Sequence, residues 1–361
     1  MKEAVVVIPA LNPDSRLIEY CEKLAEAGFS RIVVIDDGSD EIHRPVFDAL
    51  EQAGKIVLLR HAVNLGKGRA LKTAFNYFLN CADKEKFCGV ITVDSDGQHG
   101  VPDVIKIKEE LNYNSENLIL GVRDFDKENV PFKSRYGNKC TRFIFRLLHG
   151  AKLTDTQTGL RGIPTDIVAK YIDVFGERFE YETAMLITTA HNSIEFKEIS
   201  IETIYENDNK GTHFNPVRDS WAIYKLLFGT FLKYIMSSLL SFLVDIGFFR
   251  LFLMFFTMQG FQANNRIIAA TIIARIISSL LNFSINKNVV FRTNGNNIKY
   301  LIKYYVLCLV QMACSAGLVA ILFGILPFSE TPIKIIVDAF LFVISYQIQH
   351  RLIFRETEKR C

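Results

Sequence analysis

The chain has 361 residues, of which 49% are hydrophobic, and its formal net charge is only +3. Charged and apolar residues mix before about residue 230 and long apolar stretches follow, which excludes a single soluble domain and predicts a globular part joined to a membrane part. The weak charge, with no basic tract interleaved with aromatic residues, excludes a nucleic-acid-binding protein.

The cysteines and the first residues indicate a reducing, cytoplasmic setting. The 7 cysteines are odd in number, scattered along the chain and form no Cys-x-x-Cys pair, which predicts free thiols. The first apolar run, Val5 to Ile8, is too short for a signal peptide and meets Pro9 at once. We therefore expect the first domain to stay in the cytoplasm.

The first half of the chain alternates short β-branched runs with amphipathic segments. This alternation predicts βαβ units and a parallel, Rossmann-like sheet whose ligands bind outside the carboxyl ends of the strands. The predicted strands are Val5 to Ile8, Ile32 to Ile35, Ile56 to Leu59 and Val90 to Val93, and the predicted helices are Leu17 to Ala27, Arg44 to Ala53 and Gly68 to Leu79.

Each predicted strand runs into a polar loop, so these loops should meet at one edge of the sheet. Glycines, cations and a helix start in Gly66-Lys67-Gly68-Arg69 favour a diphosphate, although the segment also suits an ordinary helix start. Asp36-Asp37-Gly38-Ser39 also suits an ordinary Asx turn. Neither the Walker spacing nor a Gly-x-Gly-x-x-Gly after the first strand is present, which argues against a P-loop protein and an NAD enzyme.

The fourth predicted strand ends in two carboxylates, Asp94 and Asp96. Together with the Gln98 carbonyl they suit a hard cation, Mg²⁺ or Mn²⁺, whose remaining positions take phosphate oxygens. Asp-x-Asp-Gly is also an ordinary turn at a strand end. Because three other polar loops converge on the same edge, we expect a metal-bound diphosphate here.

In this order, six motifs resemble those of family 2 glycosyltransferases with a GT-A fold, in the branch that transfers sugars to dolichyl or undecaprenyl phosphate. The resemblance covers about Val5 to Tyr224. The motifs are Ile8-Pro9-Ala10-Leu11-Asn12, Ile35-Asp36-Asp37-Gly38-Ser39, Asn64-Leu65-Gly66-Lys67-Gly68, Asp94-Ser95-Asp96-Gly97-Gln98-His99, Asp155-Thr156-Gln157-Thr158-Gly159-Leu160-Arg161 and Glu180-Tyr181-Glu182.

The resemblance implies a nucleotide-sugar site with a divalent metal. The metal ligands it implies are Asp94, Asp96 and Gln98, and the nucleotide-binding residues are Pro9, Ala10, Leu11, Asn12, Asp36, Asp37, Asn64, Lys67, Gly68, Asp94 and Ser95. The family commonly has Asn-Glu where this chain has Asn12-Pro13, so a base or ribose contact from that glutamate is not carried over.

A lipid monophosphate acceptor is already ionised near neutral pH, so it needs a cationic binding site more than a general base. Arg123 and Arg135 are the best candidates, although each also suits a surface salt bridge. Lys133, Ser134 and Arg161 are further candidates for acceptor binding, and the catalytic set is Asp94, Asp96, Asp155, Arg123 and Arg135.

The roles of several other polar residues stay open. Asp155 could orient the acceptor, act as a base or fix Arg161. Glu180 and Glu182 open a predicted helix, where capping of the helix dipole is an equally good interpretation. His213 is expected to be structural rather than a metal ligand.

The second half of the chain predicts an interfacial helix followed by four membrane-spanning helices. Aromatic residues recur at helical spacing after Pro216, and the apolar segments are about Tyr234 to Met258, Ile267 to Phe283, Tyr304 to Leu326 and Ile333 to Ile348. Lys and Arg concentrate before the first segment, between the second and third and at the end, which predicts cytoplasmic termini.

Charged and polar residues within the apolar half carry further information. Asp245, Arg250, Arg275 and Asp338 are costly in a bilayer and should pair with each other, as Asp245 with Arg275, or contact a lipid phosphate. Similar helix-end patterns follow Asn282 and Gln349, and this half resembles the GtrA-like four-helix domain, a family associated with lipid-linked sugars.

We therefore expect an α/β, Rossmann-like GT-A domain with a mostly parallel sheet, followed by an all-α four-helix transmembrane domain. The expected bounds are 1–215 for the catalytic domain, 216–233 for the interfacial helix and 234–355 for the membrane domain. The expected reaction moves one hexose, with inversion, from a GDP-mannose- or UDP-glucose-type donor to a polyprenyl phosphate, with Mg²⁺ or Mn²⁺. Four helices are few for a translocation path, which favours a homo-oligomer.

Two other functions stay open from the sequence. A processive polysaccharide synthase has similar chemistry, but its usual Gln-x-x-Arg-Trp motif is missing, since the single tryptophan lies in Asp219-Ser220-Trp221. A lipid-linked sugar transporter or scaffold would only bind the nucleotide sugar. Asp94, Asp96 and Arg135 argue against that second alternative.

Overall fold

The computed structural model describes residues 1–54, 56–123, 132–202, 218–293, 296–327 and 329–354. The chain divides into two compact units, Met1–Leu227 and Phe228–Cys361. His213 and Pro216 lie outside the described residues, as do the side chains of Lys133 and Ser134.

The first unit is built on a seven-stranded sheet. Its strands are β1 (Glu3–Ala10), β2 (Ile32–Asp36), β3 (Ile56–Arg60), β4 (Phe87–Thr92), β5 (Leu118–Arg123), β6 (Arg161–Pro164) and β7 (Phe196–Ile201). Their order across the sheet is β3-β2-β1-β4-β6-β5-β7. Among these strands β6 runs antiparallel to β4 and β5, while the other neighbours are parallel. The predicted, mostly parallel sheet is confirmed.

Helices cover the sheet because its central strands are apolar on both faces. The whole run from Ala4 to Ile8 in β1 is fully buried, as expected for a strand between two helical layers. Val6 and Ile8 pack into one core with Leu17 and Leu24 of the first helix. The helices are α1 (Arg16–Glu26), α2 (Arg44–Gln52), α3 (Lys67–Asn80), α4 (Val101–Tyr113), α5 (Phe132–His149), α6 (Thr165–Val168) and α7 (Glu180–His191).

The strand directions decide where the polar loops meet. Strands β1 to β5 share one direction, because β4 and β5 are both antiparallel to β6. The loops that follow β1 to β4 and the end of β5 therefore lie at one edge of the sheet. The loop that precedes β6, residues 151–160, lies at the same edge because β6 runs the opposite way. The prediction that the polar loops meet at one edge of the sheet is confirmed, and the loop of residues 151–160 joins them.

The second unit is helical. Its helices are α8 (Arg218–Met258), which begins in the first unit, α9 (Ala263–Ile285), α10 (Asn297–Ile325) and α11 (Glu330–Ile348). These four helices are long and apolar enough to cross a membrane, so the chain is a multi-pass membrane protein. The predicted interfacial helix and the first predicted span form one continuous helix of 41 residues. Near its start Leu227 is buried whereas Trp221 is exposed.

Two π-helical turns end α9 and α11, at Asn286–Val290 and Gln349–Ile353. The Asn286 side-chain amide donates to Gln349 Oε1 at 3.0 Å, and the Gln349 amide donates to the Tyr234 hydroxyl at 3.1 Å. The rings of Phe291 and Phe354, which follow the two turns, stack with centroids 5.2 Å apart. The similarity of the two helix ends in the sequence thus corresponds to two matching turns that pack on each other.

Two ion pairs within the apolar helices each have a serine hydroxyl beside them. Arg275 Nη2 lies 3.4 Å from Asp245 Oδ2, and Ser278 donates to the other oxygen of Asp245 at 2.8 Å. Lys334 Nζ lies 2.6 Å from Asp338 Oδ2, and Ser315 donates to Asp338 at 2.6 Å. Pairing, one of the two predicted outcomes for Asp245 and Arg275, is confirmed. Arg250 lies exposed on α8.

The buried amide pair makes a testable contribution to the stability of the second unit. We expect Asn286→Leu and Gln349→Leu to show a coupling of about 1 kcal/mol in a double-mutant cycle, because each variant leaves the other amide without its partner. The measurement is thermal or denaturant unfolding of the full chain in detergent. Gln349→Leu combined with Ser315→Ala should be additive, and a coupling near zero for the amide pair would contradict the expectation.

Candidate active site

A chain of charged side chains lies where β4 ends. Lys67 Nζ, at the start of α3, is 2.7 Å from Asp94 Oδ1 and 3.0 Å from Glu182 Oε2 of α7. His99 Nε2 is 3.3 Å from Asp94 Oδ2. Both oxygens of the Asp94 carboxylate therefore have partners from different elements of the fold.

The pKa values of this cluster follow from burial and pairing. Burial opposes the charge of Lys67, but the Asp94 and Glu182 carboxylates outweigh it and hold the pKa of Lys67 above its ordinary value. Burial likewise opposes the charge of Asp94, but Lys67 and His99 outweigh it, so the pKa of Asp94 is lowered. Asp96 differs, because burial and then the negative charge of Asp94 raise its pKa. Lys67 and His99 therefore stabilise the charge of Asp94 more strongly than that of Asp96.

The side chains of Asp94, Asp96 and Gln98 suit a cation site in which some coordination positions stay available to a ligand. Asp96 accepts a hydrogen bond from the backbone N–H of Gln98 at 3.1 Å, which places Ser95 and Gln98 in one tight turn with it. In the part of the chain that the structure describes, no cluster of three or more His, Cys, Asp or Glu side chains is arranged to hold a metal ion. Two carboxylates and one amide carbonyl leave positions for phosphate oxygens and water, which fits Mg²⁺ or Mn²⁺ bound together with a diphosphate.

Gly159 brings the loop before β6 against the Asp94 carboxylate. A Cβ at this position would lie 2.4 Å from Asp94 Oδ2, which no side chain can occupy without moving the carboxylate. The Thr92 hydroxyl at the end of β4 donates to the Gly159 carbonyl at 2.7 Å. The position of Asp94 is therefore set by the contact between β4 and this loop.

The loops after β1 and β2 hold each other through short polar side chains. Asp36 accepts from the Ser39 N–H at 2.9 Å, and the Asn12 N–H donates to the Ser39 hydroxyl at 2.9 Å. Asn12 is one of few residues other than glycine with a positive φ, 49°. Pro9 and Ala10 are buried at the end of β1, and Leu11 and Asn12 follow half-buried. This arrangement places the predicted nucleotide residues of β1 and β2 side by side.

Asp37 anchors the loop that leads into α3. Its carboxylate accepts from the backbone N–H groups of Leu65 and Gly66 at 3.0 and 2.8 Å, and lies 2.7 Å from His61 Nδ1. Gly38 permits the close approach, because a Cβ there would lie 2.1 Å from the backbone of Val63. Asn64 stays exposed beside this loop, whereas Gly68 is buried. The buried carboxylate of Asp37 thus organises the loop that carries Lys67.

Arg123 and Asp155 form a two-point ion pair at the end of β5. Arg123 Nε donates to Asp155 Oδ2 at 2.7 Å and Nη2 donates to Oδ1 at 3.1 Å. Asp155 is fully buried and also accepts from the Gln157 N–H at 2.9 Å. Asn138 of α5 donates to the Thr154 carbonyl at 3.0 Å, so α5 is attached to the same loop. Of the alternatives for Asp155, fixing an arginine is the one with an observed partner, and the arginine is Arg123 rather than Arg161.

The remaining predicted acceptor residues lie in different surroundings. Arg161 is 1% exposed and donates to the carbonyls of Thr158 and Glu182 at 3.0 and 2.7 Å, so it holds α7 against the loop before β6. Arg135 is half-buried in the first turns of α5, where Lys133 and Ser134 precede it. Their contacts with an acceptor stay predictions.

The structure adds two residues that reasoning from the sequence did not place in the site. Glu182 lies 3.0 Å from Lys67, and His99 contacts Asp94. Both belong to motifs already noted, Glu-Tyr-Glu and the end of the Asp94 motif. Glu182 was interpreted with equal weight as a helix cap, because no local pattern reveals that α7 packs beside the start of α3.

Gly159→Ala should destabilise the first unit, because the new Cβ displaces the buried Asp94 carboxylate and its partners. We expect a loss of about 1–3 kcal/mol, the usual cost of overpacking. Thermal unfolding of the full chain in detergent measures it. Gly137→Ala is the matched control, since a Cβ there meets no atom within 4 Å. Equal melting temperatures for the two variants would contradict the proposed contact.

Two family matches divide the chain. Residues 5–172 match Glycosyl transferase family 2, and residues 233–354 match the GtrA/DPMS transmembrane domain. A crystal structure of S. aureus TarS superposes on 66% of this chain and on 43% of the TarS chain, with a TM-score of 0.40 and 15% sequence identity.

Similar proteins occur in archaea and a protist. An uncharacterised protein of Methanocaldococcus jannaschii is 32% identical over 232 residues, which are 62% of this chain and 91% of that protein. A UDP-N-acetylglucosamine–dolichyl-phosphate N-acetylglucosaminyltransferase of Methanococcus voltae is 26% identical over 62% of this chain and 94% of its own length. A dolichyl-phosphate beta-glucosyltransferase of Trichomonas vaginalis is 26% identical over 54% of this chain and 64% of its own.

The two family matches agree with the mostly parallel sheet, the carboxylates at the end of β4 and the four apolar helices. The chain belongs to glycosyl transferase family 2 and carries a GtrA/DPMS transmembrane domain after its catalytic domain.

Proposed function

We propose that this protein transfers one hexose from a nucleoside diphosphate sugar to a polyprenyl phosphate, with inversion, at the cytoplasmic face of a membrane. The observation that carries the proposal is the edge of the sheet, where Asp94 and Asp96 lie with Lys67 and where the buried Asp155 orients Arg123. The first group, with Asp94 and Asp96, suits a metal-bound diphosphate. The pair of Asp155 and Arg123 presents a guanidinium that suits a phosphate.

The donor side of the site is built to carry the leaving diphosphate. Asp94, Asp96 and Gln98 would hold a divalent ion, and that ion supplies positive charge against the diphosphate as it leaves. Lys67 adds a second cation, and it lies at the N-terminus of α3, where the helix dipole also favours an anion. The loop that Asp37 anchors positions both features.

The acceptor needs orientation more than deprotonation. A phosphate monoester has a second pKa of about 6, so an oxygen of the lipid phosphate is already a nucleophile near neutral pH. That oxygen attacks C1 of the sugar, the bond from C1 to the diphosphate oxygen breaks, and the nucleoside diphosphate leaves. One such displacement inverts the configuration at C1. Arg123 would hold the attacking phosphate, with its plane fixed by Asp155.

The four apolar helices and the relatives favour a lipid acceptor. Both named relatives act on dolichyl phosphate, and their sugars differ, being N-acetylglucosamine and glucose. The distribution of Lys and Arg favours a cytoplasmic catalytic domain. The identity of the sugar is therefore the first property to measure.

The test is transfer of radiolabel from a panel of GDP- and UDP-sugars to polyprenyl phosphate by the purified full chain. We expect label from one donor in the organic extract with Mg²⁺ or Mn²⁺, lost with a chelator. Asp96→Asn should lower transfer at least about 100-fold, because it removes a ligand charge from the diphosphate site. Full transfer by folded Asp96→Asn would contradict the metal site.

The outcomes of this assay separate the candidate functions. One labelled hexose per lipid supports the proposal, whereas a ladder of products would indicate a processive synthase. No organic-phase label from any donor, by protein that is folded and binds a nucleotide sugar, would overturn the proposal in favour of a transporter or scaffold.

Arg123→Lys tests whether Arg123 binds the acceptor phosphate. Lysine keeps the charge but loses the two-point pair with Asp155, so we expect the KM for polyprenyl phosphate to rise about tenfold, while the KM for the donor stays unchanged. Arg31→Lys is a matched control, because Arg31 makes a similar two-point pair with Asp83 at 2.8 and 3.0 Å, next to the start of β2. A rise in the donor KM instead would place Arg123 on the other side of the reaction.

A further inference from the structure

Lys67 occupies the position where a cation would meet Asp94. Its ammonium lies 2.7 Å from Asp94 Oδ1, while the other oxygen of Asp94 is taken by His99. The pair is well shielded from solvent, since the Lys67 side chain is 17% exposed. A divalent ion bound to Oδ1 would bring two positive charges onto one oxygen, so Lys67 and the ion compete for it.

Lys67 has a second anionic neighbour that allows it to leave Asp94. Glu182 Oε2 lies 3.0 Å from the ammonium, on the first turn of α7, and is itself only 13% exposed. The flexible lysine side chain can thus keep one carboxylate while it exchanges the other for a new anion. His99 stays on Oδ2 in either state, so the exchange affects one oxygen of Asp94.

We propose that Lys67 is a built-in counter-cation of the acidic site, which leaves Asp94 for the nucleotide diphosphate and so makes divalent-cation binding depend on the nucleotide. This inference rests on the proposed function, because the diphosphate of the donor provides the new anion for Lys67. Its consequence is that the site without nucleotide is already neutralised at Asp94 and binds a free ion weakly.

The arrangement explains why Glu182 lies beside a predicted diphosphate site, where an acidic residue would otherwise repel the ligand. With Lys67 between them, Glu182 and the diphosphate would share one ammonium, as Glu182 and Asp94 do in the structure. Asp96 makes no such ion pair within the described residues. The carboxylate charge of Asp94 is therefore neutralised by Lys67, whereas that of Asp96 is not.

The experiment measures Mn²⁺ binding to the full chain in detergent, by the electron paramagnetic resonance signal of free Mn²⁺, with and without GDP or UDP. We expect nucleotide to tighten Mn²⁺ binding to the natural protein about tenfold or more. Lys67→Met should bind Mn²⁺ about tenfold tighter without nucleotide, and its enhancement by nucleotide should fall at least about threefold. The second effect distinguishes exchange from a general loss of positive charge.

Lys72→Met is the matched control. Lys72 lies on the same helix, is buried and pairs with Glu177 at 3.1 Å, so its loss also removes a shielded lysine. We expect its Mn²⁺ binding and nucleotide enhancement to equal those of the natural protein. Asp96→Asn added to Lys67→Met should abolish the gain, which confirms that the ion binds at this site.

Two results would overturn the inference. One is Lys67→Met with Mn²⁺ affinity equal to or below that of the natural protein without nucleotide, and the other is an unchanged nucleotide enhancement in that variant. If Lys67→Met is poorly folded, Lys67→Gln provides the same comparison. Failure of the proposed function appears separately, as absence of sugar transfer to lipid by a protein that still shows the Mn²⁺ and nucleotide coupling.

Discussion

The carboxylates of Asp94 and Asp96 repel each other at the end of β4, and the elements around them are arranged to compensate for that repulsion. Lys67 reaches Asp94 from the start of α3, and His99 reaches it from the turn that follows Asp96. The position of Lys67 depends in turn on Asp37, whose buried carboxylate holds the backbone in front of α3. The like charges are kept together because two elements, the start of α3 and the loop after β4, supply partners for Asp94.

A different constraint governs the second unit, where polar groups meet an apolar surrounding. Two of its side-chain amides, Asn286 and Gln349, lie in π turns at helix ends and are bonded to each other. Asp245 is paired with Arg275 and Ser278, and Asp338 with Lys334 and Ser315. In hydrocarbon an unpaired polar group is costly, so these pairs also fix how the helices pack.

The sequence predicted the strands, the helices and the edge of the site well, because each depends on a local pattern. The apolar runs that form β1 to β4 differ from the observed strands by a few residues. β6 was not anticipated, since four residues with a glycine and a proline give little periodic signal. The continuity of α8 was also missed, because an amphipathic stretch and an apolar span can share one straight helix.

The contacts within the site were beyond the reach of local patterns. Lys67 and Glu182 are far apart in the chain, and only the packing of α7 beside the start of α3 brings their charges together. The sequence predicts Arg161 near the acceptor, as a cation behind the Asp155 motif. In the structure Arg161 is buried, and its Nε and Nη1 donate to the carbonyls of Thr158 and Glu182. Tertiary structure decides which arginine pairs with Asp155, and it is Arg123 of β5 rather than Arg161 of the motif itself.

The pairing of Arg123 with Asp155 bears on the kind of acceptor in the proposed reaction. Both oxygens of Asp155 accept from one guanidinium, and this two-point pair fixes the plane of the guanidinium. A phosphate acceptor requires this kind of orientation, since it arrives already ionised. An alcohol acceptor would instead require a carboxylate that is free to take the proton of the hydroxyl. The geometry of this one ion pair is therefore an argument for the chemical class of the acceptor, independent of the apolar helices that follow.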